Sequence, residues 1–177
     1  MNLKGYLNYP RTFVQLSDIH CSALSTEPHV RALVERVQSL SPDLILITGD
    51  FVDGTVKRRE RDVAPLADLS APMGVWGCEG NHEHYGNYDA WIAKIESLGI
   101  RLLKNAHTVL DVPGRNAKIC LAGLADRMVA AVLGDVGNSQ CPDGVIVLKA
   151  RFECLIQRVQ IGAFQDRKST RLNSSHT

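Results

Sequence analysis

Three short polar segments hold most of the side chains in this sequence that could carry out chemistry. They are Asp18-Ile19-His20, Gly49-Asp50-Phe51-Val52-Asp53 and Gly80-Asn81-His82-Glu83. Their carboxylate, imidazole and amide groups include no thiolate, and this donor set favours Mn²⁺, Fe or Zn²⁺ over a soft metal. The residue types therefore indicate a metal site.

The spacing of these groups allows them to share cations. Asp18 and His20 are one residue apart, so on an extended backbone both side chains point to the same side and can reach one cation. Asp50 has two carboxylate oxygens and can bridge two cations, while Asn81 offers a neutral carbonyl oxygen to the second. We therefore expect these four side chains to bind divalent cations together.

Each segment also has a plainer explanation. Asp-x-His occurs by chance, an Asp that follows a strand is commonly a helix cap or a turn residue, and Gly-Asn can form a tight turn. His84, two positions after His82, could be a further ligand or a solvent-facing loop residue. The joint occurrence of three polar segments, each after an apolar strand, favours the metal site.

Apolar periodicity predicts the elements that would position these segments. Strands are predicted at 13–16, 44–48 and 75–78, and each ends where a polar segment begins. Helical spacing of apolar residues predicts helices over 30–40 and 88–98. Because sites in open α/β sheets form outside the carboxyl ends of the strands, the three segments should converge on one pocket.

Alternating strand and helix signals continue beyond these elements and indicate an α/β layered fold. Further elements are predicted as a short helix over 60–69, strands over 100–103, 108–112, 118–124 and 145–148, and a helix or a strand over 152–161.

The composition excludes several classes of protein. The 177 residues include 20 Lys and Arg against 19 Asp and Glu, so a net charge of +1 gives no electrostatic case for nucleic acid as a partner. Five irregularly spaced cysteines do not form a disulfide framework. The longest apolar run, 44–47, is far short of the roughly 20 residues that cross a bilayer, and no signal peptide is evident. We expect a protein that is cytoplasmic or peripheral to the membrane.

The end of the chain differs in character from the rest. Residues 166–176 read DRKSTRLNSSH, which resembles the translation of a sequencing-library adapter. We therefore expect one domain over 1–165 and an artefactual tail over 166–177, with the natural chain cut near Gln165.

The three polar segments resemble the motifs of the calcineurin-like metallophosphoesterases, which are Asp-x-His, Gly-Asp-x-x-Asp and Gly-Asn-His-Asp/Glu. The resemblance runs from about 13 to about 126, includes the flanks PDLILITGD and APMGVWGCEGNHEHY, and is strongest to the small bacterial branch, whose members are often membrane-associated. It implies a β-sandwich flanked by helices, in α/β/β/α layers and incomplete at the C-terminus, with a dinuclear metal centre at its edge. By the same resemblance Asp18 and His20 bind the first metal, Asp50 bridges, and Asn81 binds the second.

The reaction that the resemblance implies is hydrolysis of a phosphomonoester or phosphodiester in a small phosphorylated substrate. Two cations about 3.5 to 4 Å apart would bind the phosphoryl oxygens and lower the pKa of a bridging water, which supplies hydroxide as the nucleophile. His82 would be the catalytic histidine that protonates the departing alkoxide. Asp53 and Glu83 would orient the imidazole ring and the loop that carries it. Any membrane association would come from regions absent from this chain.

The sequence also departs from the family pattern. The family completes its centre with a histidine after a later strand and with a Gly-His-x-His element, and no histidine occurs over 108–165. We therefore expect the front portion of a phosphoesterase that binds metal weakly and hydrolyses little. The alternative is a catalytically inactive relative that serves as a binding module.

Overall fold

Short apolar strands alternate with helices along the chain, as the periodicity predicts. The structure, a computed structural model, describes residues 12–124 and the backbone of two later strands. The strands are β1 (Thr12–Leu16), β2 (Leu44–Thr48), β3 (Val75–Cys78), β4 (Arg101–Leu102), β5 (Ala106–Asp111), β6 (Lys118–Leu124), β7 (Val145–Lys149) and β8 (Gln157–Gln160). The α-helices are α1 (Glu27–Gln38), α2 (Val56–Val63) and α3 (Tyr88–Ser97), with 3₁₀ helices at Ala64–Asp68 and His82–Tyr85.

The first sheet has the strand order β4-β3-β2-β1-β8. Its strands β1 to β4 are parallel, with Phe13 beside Leu44 and Ile45 beside Val75, and β8 is antiparallel to β1. All five residues of β2 are buried, as expected for a central strand covered on both faces. Because β1, β2 and β3 are parallel neighbours, their carboxyl ends meet at one edge of the sheet.

Alternate residues of these strands face two different cores. On one face, Val14, Ile45 and Val75 join a core that includes Val34 of α1 and Trp91 of α3. This face of the sheet is covered by the helices, since the apolar stripe of each helix packs on it.

The other face of the first sheet packs on a second sheet of order β5-β6-β7. Phe13, Leu46 and Trp76 share this core with Ile119 and Leu121 of β6. Helices, sheet and second sheet form three layers, which confirms the predicted α/β sandwich. The fourth layer, the tail over 166–177 and most of 125–165 lie outside the described residues.

Most predicted elements are confirmed, with differences at their ends. Asn87 caps α3, since its side chain accepts a hydrogen bond from Ala90 N at 3.1 Å. The helix predicted over 60–69 begins earlier, at Val56, and ends as an α-helix at Val63. Pro65 explains this end, because proline has no N–H to donate to the carbonyl four residues earlier, and the chain continues as a 3₁₀ helix. Within the part of the chain that is described, no helix combines the length and apolar character needed to cross a bilayer.

Candidate metal centre

The loops that follow β1 and β2 are bonded to each other at the edge of the first sheet. The backbone N–H of His20 donates to the Asp50 carbonyl at 2.9 Å, and that of Cys21 donates to the Phe51 carbonyl at 2.9 Å. A parallel bridge between Cys21 and Val52 extends this pairing. The first two polar segments are therefore held side by side.

The backbone is left-handed at three of the predicted ligands. Asp18, His20 and Asp50 have φ values of 52°, 43° and 53°. The expectation that Asp18 and His20 lie on an extended backbone is wrong, because the chain turns at both residues. Their side chains nevertheless meet, with Asp18 Oδ1 3.8 Å from His20 Nε2. A left-handed conformation is uncommon outside glycine, because it has a higher conformational free energy. The fold is therefore strained at these three residues.

Three side chains come close enough to hold one cation. His20, Asp50 and His82 each offer a ligand atom, and these atoms all lie within 4.8 Å of one another. Asp50 is buried, and its Oδ1 accepts a hydrogen bond from the backbone N–H of His82 at 3.0 Å. The imidazole and carboxylate groups are suitable ligands for a divalent transition metal. His82, predicted as the catalytic histidine, thus lies among the predicted ligands.

Asp53 contacts both histidines of this group. Its Oδ1 lies 3.1 Å from His20 Nδ1 and 2.5 Å from His82 Nδ1, and the two rings pack edge to face with centroids 4.3 Å apart. Burial raises the pKa of Asp53, but hydrogen bonds from the two imidazoles outweigh burial and lower it. Ionised Asp53 can only accept hydrogen bonds, so each Nδ1 carries a proton and each Nε2 keeps its lone pair for a cation or a substrate.

The pKa of His20 is raised above its ordinary value of 6.5. Burial of the ring acts in the opposite direction and is the largest single cause. The hydrogen bond to Asp53 and the negative charges of Asp53, Asp50 and Asp18 together outweigh it. The site is therefore a region of negative potential that attracts positive charge.

Glu83 is fully buried below the site and ties the third segment to the second. Its carboxylate accepts hydrogen bonds from the backbone N–H groups of Asp50 at 3.1 Å, Phe51 at 2.8 Å and Gly80 at 2.7 Å. Burial raises the pKa of Glu83, and the hydrogen bonds from Gly80 and Phe51 oppose that shift. This carboxylate fixes the distance between the two loops.

Gly80 allows these loops to approach closely. A Cβ at this position would overlap Asp50 Oδ1 and lie 2.5 Å from Asp50 N. Only glycine fits here without moving the Asp50 carboxylate.

Tyr85, which the motifs do not predict as a site residue, lies beside two of the predicted site residues. The amide nitrogen of Asn81 donates to the Tyr85 hydroxyl at 2.7 Å, and the Tyr85 ring lies edge-on to the His82 ring at 5.0 Å. The available signal was its spacing, because residues four apart on a helical turn are neighbours.

His84 faces a different set of residues. Its ring stacks on Tyr88 with centroids 4.5 Å apart, and its Nε2 lies 3.8 Å from Glu79 Oε1. The Tyr88 hydroxyl donates to Glu79, and burial together with this carboxylate raises the pKa of Tyr88. His84 is not one of the three side chains that come within 4.8 Å of one another, which favours the loop-residue interpretation.

Comparisons with known proteins find related sequences. The family model described as calcineurin-like phosphoesterase matches residues 11–124. A transmembrane protein with metallophosphoesterase domain from Danio rerio is 34% identical over 115 residues, which are 64% of this chain and 26% of that protein. The UDP-2,3-diacylglucosamine pyrophosphatase of Chlamydia trachomatis is 36% identical over 100 residues, which are 54% of this chain and 30% of that protein. The chain thus spans about a quarter to a third of the length of these relatives, one animal and one bacterial.

A solved structure shows the same fold. The NAD nucleotidase of Haemophilus influenzae superposes with a TM-score of 0.53 at 17% sequence identity, covering 80% of this chain and 34% of that one.

Proposed function

Because the chain belongs to the calcineurin-like phosphoesterase family, we propose that its site hydrolyses a phosphomonoester or a phosphodiester in a small phosphorylated substrate. Asp18, His20, Asp50 and Asn81 would hold two divalent cations. The chemistry that such cations supply when bound is positive charge, which binds phosphoryl oxygens and makes water more acidic.

The observation that carries this proposal is that His20 and Asp50, two of the proposed ligands, and His82, the proposed catalytic histidine, each have a polar atom within 4.8 Å of the others. The residues fit a divalent cation in two respects. The proposed donors include carboxylate oxygens and one imidazole nitrogen, and Asp53 holds the Nδ1 proton of His20 so that its Nε2 remains available. A carboxylate behind a ligating imidazole is the usual arrangement at metal sites in proteins.

His82 is proposed as the catalytic histidine. Asp53 Oδ1, 2.5 Å from His82 Nδ1, holds the ring by its Nδ1 proton, which leaves Nε2 as the nitrogen that can carry a transferred proton. When Nε2 carries a proton, and so binds no cation, that proton can pass to the departing oxygen as its bond to phosphorus breaks. The oxygen of a water molecule forms the new bond to phosphorus and the water releases a proton to solvent. Asp50 fixes the position of His82 by accepting its backbone N–H at 3.0 Å.

The substrate class is proposed on the chemistry of the site and on the relatives. The Chlamydia trachomatis relative is named as a pyrophosphatase of UDP-2,3-diacylglucosamine, and the Haemophilus influenzae protein with the same fold is named as an NAD nucleotidase. Both names specify a small molecule that carries phosphoryl groups. We propose that substrate class for this chain.

The test is an Asp50→Asn variant of the full chain. In equilibrium dialysis against Mn²⁺, elemental analysis should find manganese weakly bound to the parent protein and none bound to Asp50→Asn. Turnover of an aryl phosphate should be low in the parent and absent in Asp50→Asn. Asp111→Asn is the matched control, because its side chain is 81% exposed on β5 and pairs with Lys118. Equal manganese content in Asp50→Asn and the parent would contradict the proposal, and a folded parent without bound metal would support the binding-module alternative.

A further inference from the structure

Tyr85 is a large aromatic residue that stays on the surface. Its side chain is 75% exposed, yet its two ends contact two residues of the candidate metal centre. The hydroxyl accepts a hydrogen bond from the Asn81 amide nitrogen at 2.7 Å. The ring lies 5.0 Å from the His82 ring at an angle of 65°. Burial therefore does not explain the position of this side chain, whereas contact with the site does.

The backbone of Asn81 belongs to the helical turn that carries Tyr85. Asn81 begins the 3₁₀ helix His82–Tyr85 with φ −78° and ψ −24°, and its carbonyl accepts a hydrogen bond from His84 N at 3.1 Å. The helical turn then places Tyr85 next to Asn81.

The two ends of an asparagine amide have almost the same shape but opposite chemistry. The oxygen has lone pairs that bind a hard cation, whereas the nitrogen carries two protons and binds none. A hydrogen bond from the Asn81 amide nitrogen to a neighbouring group therefore leaves the amide oxygen as the end available to a cation. The Tyr85 hydroxyl, which can donate as well as accept, accepts such a bond in this structure.

We propose that Tyr85 is a positioning residue for the second cation, because its hydroxyl holds the Asn81 amide nitrogen and so leaves the amide oxygen as the ligand atom. This inference rests on the proposed function, since it takes Asn81 as a ligand. The contact of the Tyr85 ring with His82 keeps the hydroxyl in place.

The chain offers a matched control three residues further on. Tyr88 also places its hydroxyl in a hydrogen bond, but it donates to Glu79 rather than accepting from Asn81. Tyr88→Phe therefore removes one tyrosine hydroxyl from the same region without touching the Asn81 amide.

The experiment titrates the full chain with Zn²⁺ and follows two signals. Calorimetry gives the affinity, and ¹H-¹⁵N spectra follow the side-chain amide of Asn81. In the parent and in Tyr88→Phe, the Asn81 signals should shift as Zn²⁺ binds. In Tyr85→Phe the same shift should need about tenfold more Zn²⁺, the lower end of the losses seen when a group behind a ligand is removed.

A second background separates positioning from a general structural effect. Aspartate has an oxygen at both ends of its carboxylate, so a ligand at position 81 no longer needs orienting in Asn81→Asp. Adding Tyr85→Phe to Asn81→Asp should then leave the Zn²⁺ affinity unchanged. A further tenfold loss in that background would overturn the inference.

The outcomes also separate this inference from the proposed function. If Zn²⁺ shifts the ring signals of His20 and His82 equally in the parent and in Tyr85→Phe, with Asn81 shifting alike in both, the inference is wrong and the metal centre stands. If Asn81 does not respond while the histidines do, Asn81 is not a ligand and the inference is again wrong. If none of these residues responds in the parent, the proposed function fails, and the inference fails with it.

Discussion

Glu83 accepts a hydrogen bond from the backbone N–H of Asp50 at 3.1 Å, although the two residues are 33 positions apart in the sequence. The contact joins the loop after β3 to the loop after β2. Two further backbone donors, Phe51 and Gly80, share the same buried carboxylate. One side chain below the site therefore determines how the loops that carry the predicted ligands are spaced.

Removing this carboxylate should destabilise the protein. In Glu83→Ala three buried N–H groups lose their acceptor, and we expect the free energy of unfolding to fall by about 3 kcal/mol. A larger loss is not expected, because burial raises the pKa of Glu83 and its removal relieves that cost. Urea unfolding followed by the fluorescence of the buried Trp76 and Trp91 measures the change.

Glu96→Ala is the control for this variant. Glu96 is on the surface of α3 and pairs with Lys104 at 3.4 Å, so its removal should change stability by less than about 1 kcal/mol. Equal losses in Glu83→Ala and Glu96→Ala would show that the three backbone hydrogen bonds do not hold the loops.

A methyl group at position 80 should damage the metal site directly. In Gly80→Ala the new Cβ would overlap Asp50 Oδ1, so the carboxylate must move. We expect Zn²⁺ affinity to fall at least tenfold and stability to fall by about 1 to 3 kcal/mol. Gly114→Ala separates crowding from backbone strain, because Gly114 has φ +72° and nothing within 4 Å of its would-be Cβ. That variant should lose about 1 kcal/mol of stability but keep its Zn²⁺ affinity, and a matching loss of affinity would contradict the crowding argument.

The sequence was sufficient to predict which segments meet, because that depends on strand order. Each of β1, β2 and β3 is a short apolar run that ends at a polar segment, and parallel neighbours bring these ends to one edge. The helices α1 and α3 were predictable for a similar reason, since their apolar residues recur at helical spacing.

The detailed geometry of the site depends on contacts that no local pattern encodes. The left-handed backbone at His20 follows from its bond to the Asp50 carbonyl, a partner 30 residues away in sequence. The sharing of one Asp53 oxygen by His20 and His82 likewise requires all three segments to be in place. The contact of Tyr85 with Asn81 was not predicted, because its spacing is informative only on a helical turn, and the sequence does not predict the 3₁₀ helix His82–Tyr85.

Asp53→Asn should change the ionisation of His20 in the metal-free protein. Asp53 contributes a hydrogen bond and a negative charge that help to raise the pKa of His20 above 6.5, so the variant should titrate at a lower pH. A raised folded-state pKa stabilises the protein below pH 6.5, and this stabilisation is lost as the pH rises through the folded-state value. The parent should therefore lose stability in that interval, and Asp53→Asn should lose less.

The assigned imidazole signal of His20 in NMR spectra measures this pKa, and urea unfolding at several pH values measures the stability. Asp111→Asn, on the exposed side of β5, should leave both unchanged. If His20 titrates at the same pH in Asp53→Asn and in the parent, the hydrogen bond at 3.1 Å does not control its charge.

The left-handed backbone at Asp18 predicts that stability and metal binding can be separated. Asp18→Gly removes the strain of φ 52° and also removes one negative charge from a group that contains Asp50 and Asp53. Without metal, the variant should unfold with a free energy equal to that of the parent or higher by up to about 1 kcal/mol. Its Zn²⁺ affinity should fall at least tenfold, since a proposed ligand is gone.

Ser41→Gly provides the comparison, because Ser41 has φ 48° but lies after α1 and contributes no proposed ligand. It should gain a similar amount of stability and bind Zn²⁺ as the parent does. Urea unfolding gives the stability of the two variants, and calorimetry gives their Zn²⁺ affinity. A large loss of stability in Asp18→Gly would contradict this prediction. It would mean that the contacts of Asp18 with Ser17 and His20 stabilise the fold by more than the left-handed backbone costs.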